Sequence, residues 1–164
     1  QWASTQAEKS FGINKTIGDL AGPMAFAILM GSSRAFYGKF GDKINLERFM
    51  QYSAVLCMVS YLMIAFIPVP ALGILGCAVC GLSVGIMWPG TFSMAAASVK
   101  RGGTALFALL ALAGDVGCSS GPTYVGMISG ALNDNLKLGI FAALIFPVLM
   151  IMGIKMIGSL QKYN

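Results

Sequence analysis

The sequence predicts an all-α, polytopic membrane protein with five transmembrane helices, and three observations carry that prediction. The chain of 164 residues is 57% hydrophobic and 10% charged, with no histidine and a mean hydropathy of +0.77, whereas soluble domains carry about 25% charged residues. Its apolar residues fall into five blocks near the length of about 20 residues that a bilayer demands. The charges gather in the gaps between those blocks. Hydrocarbon offers no water to satisfy backbone N–H and C=O groups, so spans of this kind must be helices.

Residues 1–16 open with QWASTQAEKS, a polar and aromatic stub without an initiator methionine or a signal peptide, which reads as the interior of a longer chain. The membrane domain is expected over residues 17–157, with spans at 17–37, 49–66, 71–97, 104–132 and 138–157. Residues 158–164 form a tail. Pro68 and Pro70 separate the second and third spans, Lys100, Arg101, Gly102 and Gly103 the third and fourth, and Asn133, Asp134 and Asn135 the last two.

Orientation follows from the basic residues. If the gap after the first span is cytoplasmic, alternation places Lys39, Lys43, Arg48, Lys100, Arg101, Lys155 and Lys162 inside, against Lys9, Lys15 and Lys137 outside. That bias obeys the positive-inside rule and puts the C-terminus in the cytoplasm. Arg34 lies a turn short of the inner end and can snorkel there. The net charge of +5 is thus explained by topology, and nucleic acid is excluded as a partner.

The first gap, GKFGDKINLER at residues 38–48, is therefore a cytoplasmic loop with distinctive spacing. Gly38 is followed four residues on by Asp42, then Lys43 and Arg48, with Arg34 four residues before the glycine. A glycine lets a helix end approach a neighbour, and a carboxylate at the membrane edge can accept from a helix N-terminus or a cation. The third span contains GLSVGIMWPGTF, with Gly81 and Gly85 four apart before Trp88 and Pro89. The fourth contains GDVGCSSGPTYVG, with Gly117 and Gly121 four apart before Pro122. Small residues at this spacing suit close helix packing, and proline kinks a helix where neighbours can satisfy the freed carbonyl.

Taken together, these motifs resemble the major facilitator superfamily, whose signature loop joins the second and third helices of each half. This copy departs from the usual pattern: Lys43 stands where arginine is commoner, and Ile44, Asn45 and Leu46 interrupt the run of glycine and basic residues. The resemblance covers essentially the whole chain and implies the C-terminal half of a 12-helix fold built from inverted repeats. On it, residues 1–10 are the outer end of helix 7, the five spans are helices 8 to 12, and the partner is a missing N-terminal six-helix half. It further implies secondary transport of a small molecule by alternating access, with a proton or a sodium ion as coupling species. The 38–48 loop then acts as an inner-gate latch with Asp42 as its central acceptor. A bacterial plasma membrane is the expected location, no cofactor is expected, and the fragment alone is expected to be inactive.

Asp115 stands apart from packing. Counted from residue 104, it lies about 16 Å into a hydrocarbon core about 30 Å thick, where an aspartate costs about 2.5 to 3.5 kcal/mol. An intramembrane carboxylate is by default functional or cavity-facing. Ser119 and Thr123 follow at i+4 and i+8 and extend a polar stripe, while Gly114, Gly117 and Gly121 fall on another face. Three roles are open to Asp115. It could bind and release a coupling proton. It could equally pair with a cationic substrate, or with a structural cation from the missing half.

Trp2 and Trp88 either line a central cavity or anchor helix ends at the interface, and Gln1 joins them as a cavity candidate on position alone. Cys77 and Cys80 form a CxxC without a second pair or any histidine, so they read as small buried apolar residues and not as a metal or redox site. No nucleophile and base pair, phosphate loop or carboxylate cluster is present to suggest an enzyme. The alternative to a transporter is a small non-transporting membrane subunit or scaffold of a larger complex.

Overall fold

The computed structural model describes residues 15–67, 70–99 and 102–163, and all regular structure among them is helical. Gln1 and Trp2, Pro68, and the Lys100 and Arg101 turn lie outside the described residues. Helix α1 is Lys15–Phe40, followed by a 3₁₀ turn at Gly41–Lys43, and α2 is Leu46–Phe66. The third apolar block is divided into α3, Pro70–Val84, and α4, Met87–Ser98. Helix α5 is Gly103–Ala131, and the last block is again divided, into α6, Leu136–Ala142, and α7, Ile145–Tyr163. Four stretches, Leu46–Phe66, Leu72–Ser98, Gly103–Ala131 and Leu136–Ser159, are each long and apolar enough to cross a membrane. Helix α1 has the length, 26 residues, or about 39 Å, and its apolar course is diluted in its C-terminal half by Gly31, Ser32, Ser33 and Arg34.

The ends of the elements follow local chemistry. Pro70 opens α3, where a missing N–H costs nothing. Asn45 caps α2, its Oδ1 accepting from the Arg48 N–H at 3.1 Å, and Asn135 caps α6 through the Leu138 N–H. Asn133 and Asp134 turn the chain between α5 and α6 in the left-handed region, each with φ of 56°, a conformation these two residue types tolerate. Replacing Asn45 by Ala is expected to remove about 1 kcal/mol, read as a lower denaturant midpoint of the solubilised protein with little change in its helix content.

Helix α2 is the central post, touching α3, α4, α6 and α7, while α1 lies along α3 and α5 leans on α6. Two apolar cores flank the post. One gathers Ile64, Ala65, Val125, Leu136, Ile140 and Ala143; the other gathers Met50, Ile86, Met94 and Ile154, with Tyr37 and Phe49 packed against it. The buried hydroxyls of Ser60 and Ser83 donate to the Cys57 and Cys80 carbonyls of their own helices, at 2.8 and 2.7 Å. Across the α2 to α3 contact the same hydroxyls also meet thiols, Ser60 that of Cys80 and Ser83 that of Cys57.

Glycines set the closest approaches. A Cβ on Gly81 would run into the carbonyl and Cα of Phe26, and one on Gly85 would lie 2.8 Å from the Met30 oxygen and 2.9 Å from Ser33 Cβ. The stripe from Gly81 of α3 to Gly85 just beyond its end therefore receives the Phe26, Met30 and Ser33 ridge of α1, a small-residue contact that lets two backbones meet.

Candidate functional site

Three groups of residues compose the candidate site: the loop at residues 38–48, the break in the third span, and the open face of α5.

In the loop, Gly38 falls in the last turn of α1, where a Cβ would meet nothing within 4 Å. The close approach is at Gly41 instead, whose Cβ would sit 3.2 Å from the Tyr37 ring. Asp42 and Lys43 complete the 3₁₀ turn, closed by the Ile44 N–H on the Gly41 carbonyl at 3.1 Å. The side chain of Asp42 lies outside the described residues. Lys43 and Arg48 are exposed. A carboxylate not singled out from the sequence, Glu47, sits in the first turn of α2, where negative charge suits the helix dipole. Its Oε1 accepts from Gln51 Nε2 at 3.2 Å, and it abuts Gly158 near the end of α7, where a Cβ would lie 2.7 Å from that oxygen. The loop end of α2 is thus matched to the C-terminal helix.

At the break, α3 stops at Val84 and α4 begins at Met87. Pro89 is the third residue of α4 and has no N–H to offer the Gly85 carbonyl four residues back. Arg34 supplies the hydrogen, its Nε donating to the Gly85 oxygen at 3.0 Å. Trp88 follows immediately and is half exposed. Its ring lies over Gly114 of α5, at the spot any Cβ there would occupy. Trp88 also packs on Phe92 with centroids 4.8 Å apart, and Phe92 stacks on Phe107 at 5.7 Å and 10°.

On α5, Asp115, Ser119 and Thr123 share one open, shallow depression with Val116, Ser120, Tyr124 and Met127. Ser119 Oγ donates to the Asp115 carbonyl at 3.0 Å and Thr123 Oγ1 to the Ser119 carbonyl at 2.8 Å. Both hydroxyl hydrogens are used on the helix itself, leaving the oxygens turned outward as acceptors beside the carboxylate. Among the described residues no hydrogen bond or ion pair engages that carboxylate. Gly117 and Gly121 face open space. Pro122 lies within α5, which continues through it.

The structure therefore links Arg34, Gly85, Pro89, Trp88 and Gly114 in one run of contacts, with Asp115 the next residue along α5, and keeps the Gly38 to Lys43 loop outside it. Of the other candidates, Gln1 and Trp2 lie outside the described residues. Part of the signal for Arg34 was present in the letters, because Pro89 has no N–H for the Gly85 carbonyl four residues earlier; which donor reaches it depends on the packing of α1.

Such an array, apolar helices with two broken spans and an ionisable residue on an open helix face, is that of an integral membrane protein. A family model described as Major Facilitator Superfamily matches residues 2–122, most of the chain, and the chain belongs to that family of membrane transporters. Neither a curated protein nor a solved structure matches it.

Proposed function

We propose that the chain forms the C-terminal half of a secondary transporter that moves a small solute by alternating access, coupled to an ion. Asp115 carries this reading. It is an acidic residue midway along a 29-residue helix of which no residue in the most apolar stretch is buried. A charge so placed faces either water or a partner, and the depression it shares with Ser119 and Thr123 has the acceptor chemistry to hold a proton, a cation or the donor groups of a solute. The exposed length of α5 is the surface on which an N-terminal six-helix half would close, with the solute held between the two halves. The 38–48 loop, with Gly38, Asp42, Lys43 and Arg48, would then latch the cytoplasmic side, and the C-terminus lies in the cytoplasm.

The test is reconstitution of the intact transporter into liposomes loaded with a pH-sensitive dye and challenged with a panel of small solutes. Inward movement of at least one solute with a change of internal pH supports the reading with a proton as coupling species. Solute movement that follows a sodium gradient and leaves pH unchanged keeps transport and reassigns the ion. No solute-dependent flux of either kind overturns it. Vesicles holding this chain alone are expected to give no uptake, and uptake by them would overturn the assignment of half a transporter.

A further inference from the structure

Two prolines pose the same problem in this fold and receive different answers. Pro89 and Pro147 are each the third residue of a helix that follows a break, α4 and α7, and each lacks the N–H that would bond the carbonyl four residues earlier. For Pro147 that carbonyl belongs to Ala143, and the Phe146 N–H takes it locally at 3.1 Å. For Pro89 it belongs to Gly85, and the donor is Arg34, 51 residues away on another helix. In hydrocarbon no water can take an unpaired carbonyl, so whichever group holds it also holds the break.

The neighbours are arranged for this reach. Gly85 has no side chain to keep α1 away, since a Cβ would meet Met30 and Ser33. Immediately beyond the break Trp88 lies against Gly114, the residue before Asp115, and through Phe92 it reaches Phe107 of the same helix. We infer that Arg34 is the positioning residue of this hinge: its Nε supplies the hydrogen bond that Pro89 cannot, so the inner end of α1 sets the direction of α4 and the seat of Trp88 beside Asp115. Movement of α1 relative to α3 would break or remake that bond and carry Trp88 along α5. The inference deepens the transport reading, which gives the hinge its use, yet the hinge itself can be read without transport.

The experiment uses Trp88 as the reporter. These 164 residues hold two tryptophans, so Trp2→Phe, with phenylalanine also at any tryptophan of the other half, leaves Trp88 alone, and its emission and acrylamide quenching are measured in the intact protein in liposomes. Arg34→Gln places an amide nitrogen at the same position along the side chain as the arginine Nε, and keeps a donor while removing the charge. It is expected to leave Trp88 where it was. Arg34→Met keeps the length and removes the donor, and is expected to shift the emission and raise the quenching. In a Pro89→Ala background the residue at 89 regains its N–H and closes the Gly85 carbonyl locally, so Arg34→Met is expected to add no further change. Such non-additivity is the mark of two residues serving one group.

Equal shifts from the Gln and Met variants would show that charge and not donation matters, and would overturn the inference. So would an Arg34→Met effect of the same size with and without Pro89, or no effect at all. A general folding defect in Arg34→Met is distinguished by the double variant, since restoring one N–H at position 89 rescues Trp88 only if the orphaned carbonyl was the fault. Because no solute is added, these outcomes stand whatever liposome transport shows.

Discussion

Replacing Gly81 by Val is expected to separate α1 from α3 and to destabilise the solubilised bundle by about 3 kcal/mol, the upper range for forcing atoms into a packed site. The seat is backbone: the new Cβ would meet the Phe26 carbonyl and Cα, which cannot rotate away as a side-chain tip would. Relief requires α1 to move outward, and that withdraws Met30 and Ser33 from Gly85 and stretches the Arg34 bond to its carbonyl. Gly117→Val is the matched control, because a Cβ there meets nothing within 4 Å. The measurement is the midpoint of detergent-induced unfolding followed by helical circular dichroism. A lowered midpoint for Gly81→Val alone is expected, and equal midpoints for the two variants would mean that the α1 to α3 contact does not limit stability.

Asp115→Asn in the intact transporter is expected to reduce coupled transport by about 100-fold or more, the scale on which positioned proton carriers act, and to flatten its dependence on pH. Asparagine retains the size and a carbonyl acceptor but can neither ionise nor take up a proton, so loss of transport isolates the charge from the shape. The hydroxyls of Ser119 and Thr123 bond their own helix and are unaffected by the change. Three outcomes separate the roles open to Asp115. Loss of pH dependence with solute exchange retained marks a coupling proton. Weakened binding of cationic solutes alone marks a substrate partner. Unchanged transport with reduced stability leaves a structural pair with the other half.

The helical membrane fold and the family were legible in the letters, because hydropathy summed over some twenty residues is a strong signal and the glycine, aspartate and lysine spacing at 38, 42 and 43 is local. Contacts made at a distance were not. The sequence states that Pro89 orphans the Gly85 carbonyl, but only the packing of α1 on α3 brings Arg34 to it. Glu47 was passed over because its neighbour Gly158 is near the far end of the chain. The loop spacing draws attention to Gly38, while the crowded glycine is Gly41, since the ring of Tyr37, one turn earlier, folds over it. Gly117 and Gly121 show the reverse limit: their four-residue repeat marks a small-residue face, and within the described residues nothing rests on it. Spacing identifies a face, and only neighbours determine what it does.

Helix α5 is gripped at one end and merely touched at the other. Near its C-terminus Gly139 of α6 presses on the Val125 carbonyl, and a Cβ there would lie 2.7 Å from that oxygen, while Val125 and Ser129 are its buried residues. Toward its N-terminus the described contacts are the Trp88 and Phe92 rings against Gly114 and Phe107. Mechanically this is a cantilever with its pivot at Val125 and a free arm reaching Phe107, about 27 Å at 1.5 Å per residue. A tilt of about 5° at the pivot moves the tip by roughly 2 Å over that length, with Asp115 carried by a little over half as much. Small angular play in the packing around Val125 thus becomes side-chain-sized displacement at the far end, so the Gly139 contact and the core residues beside it set how far the polar face can travel.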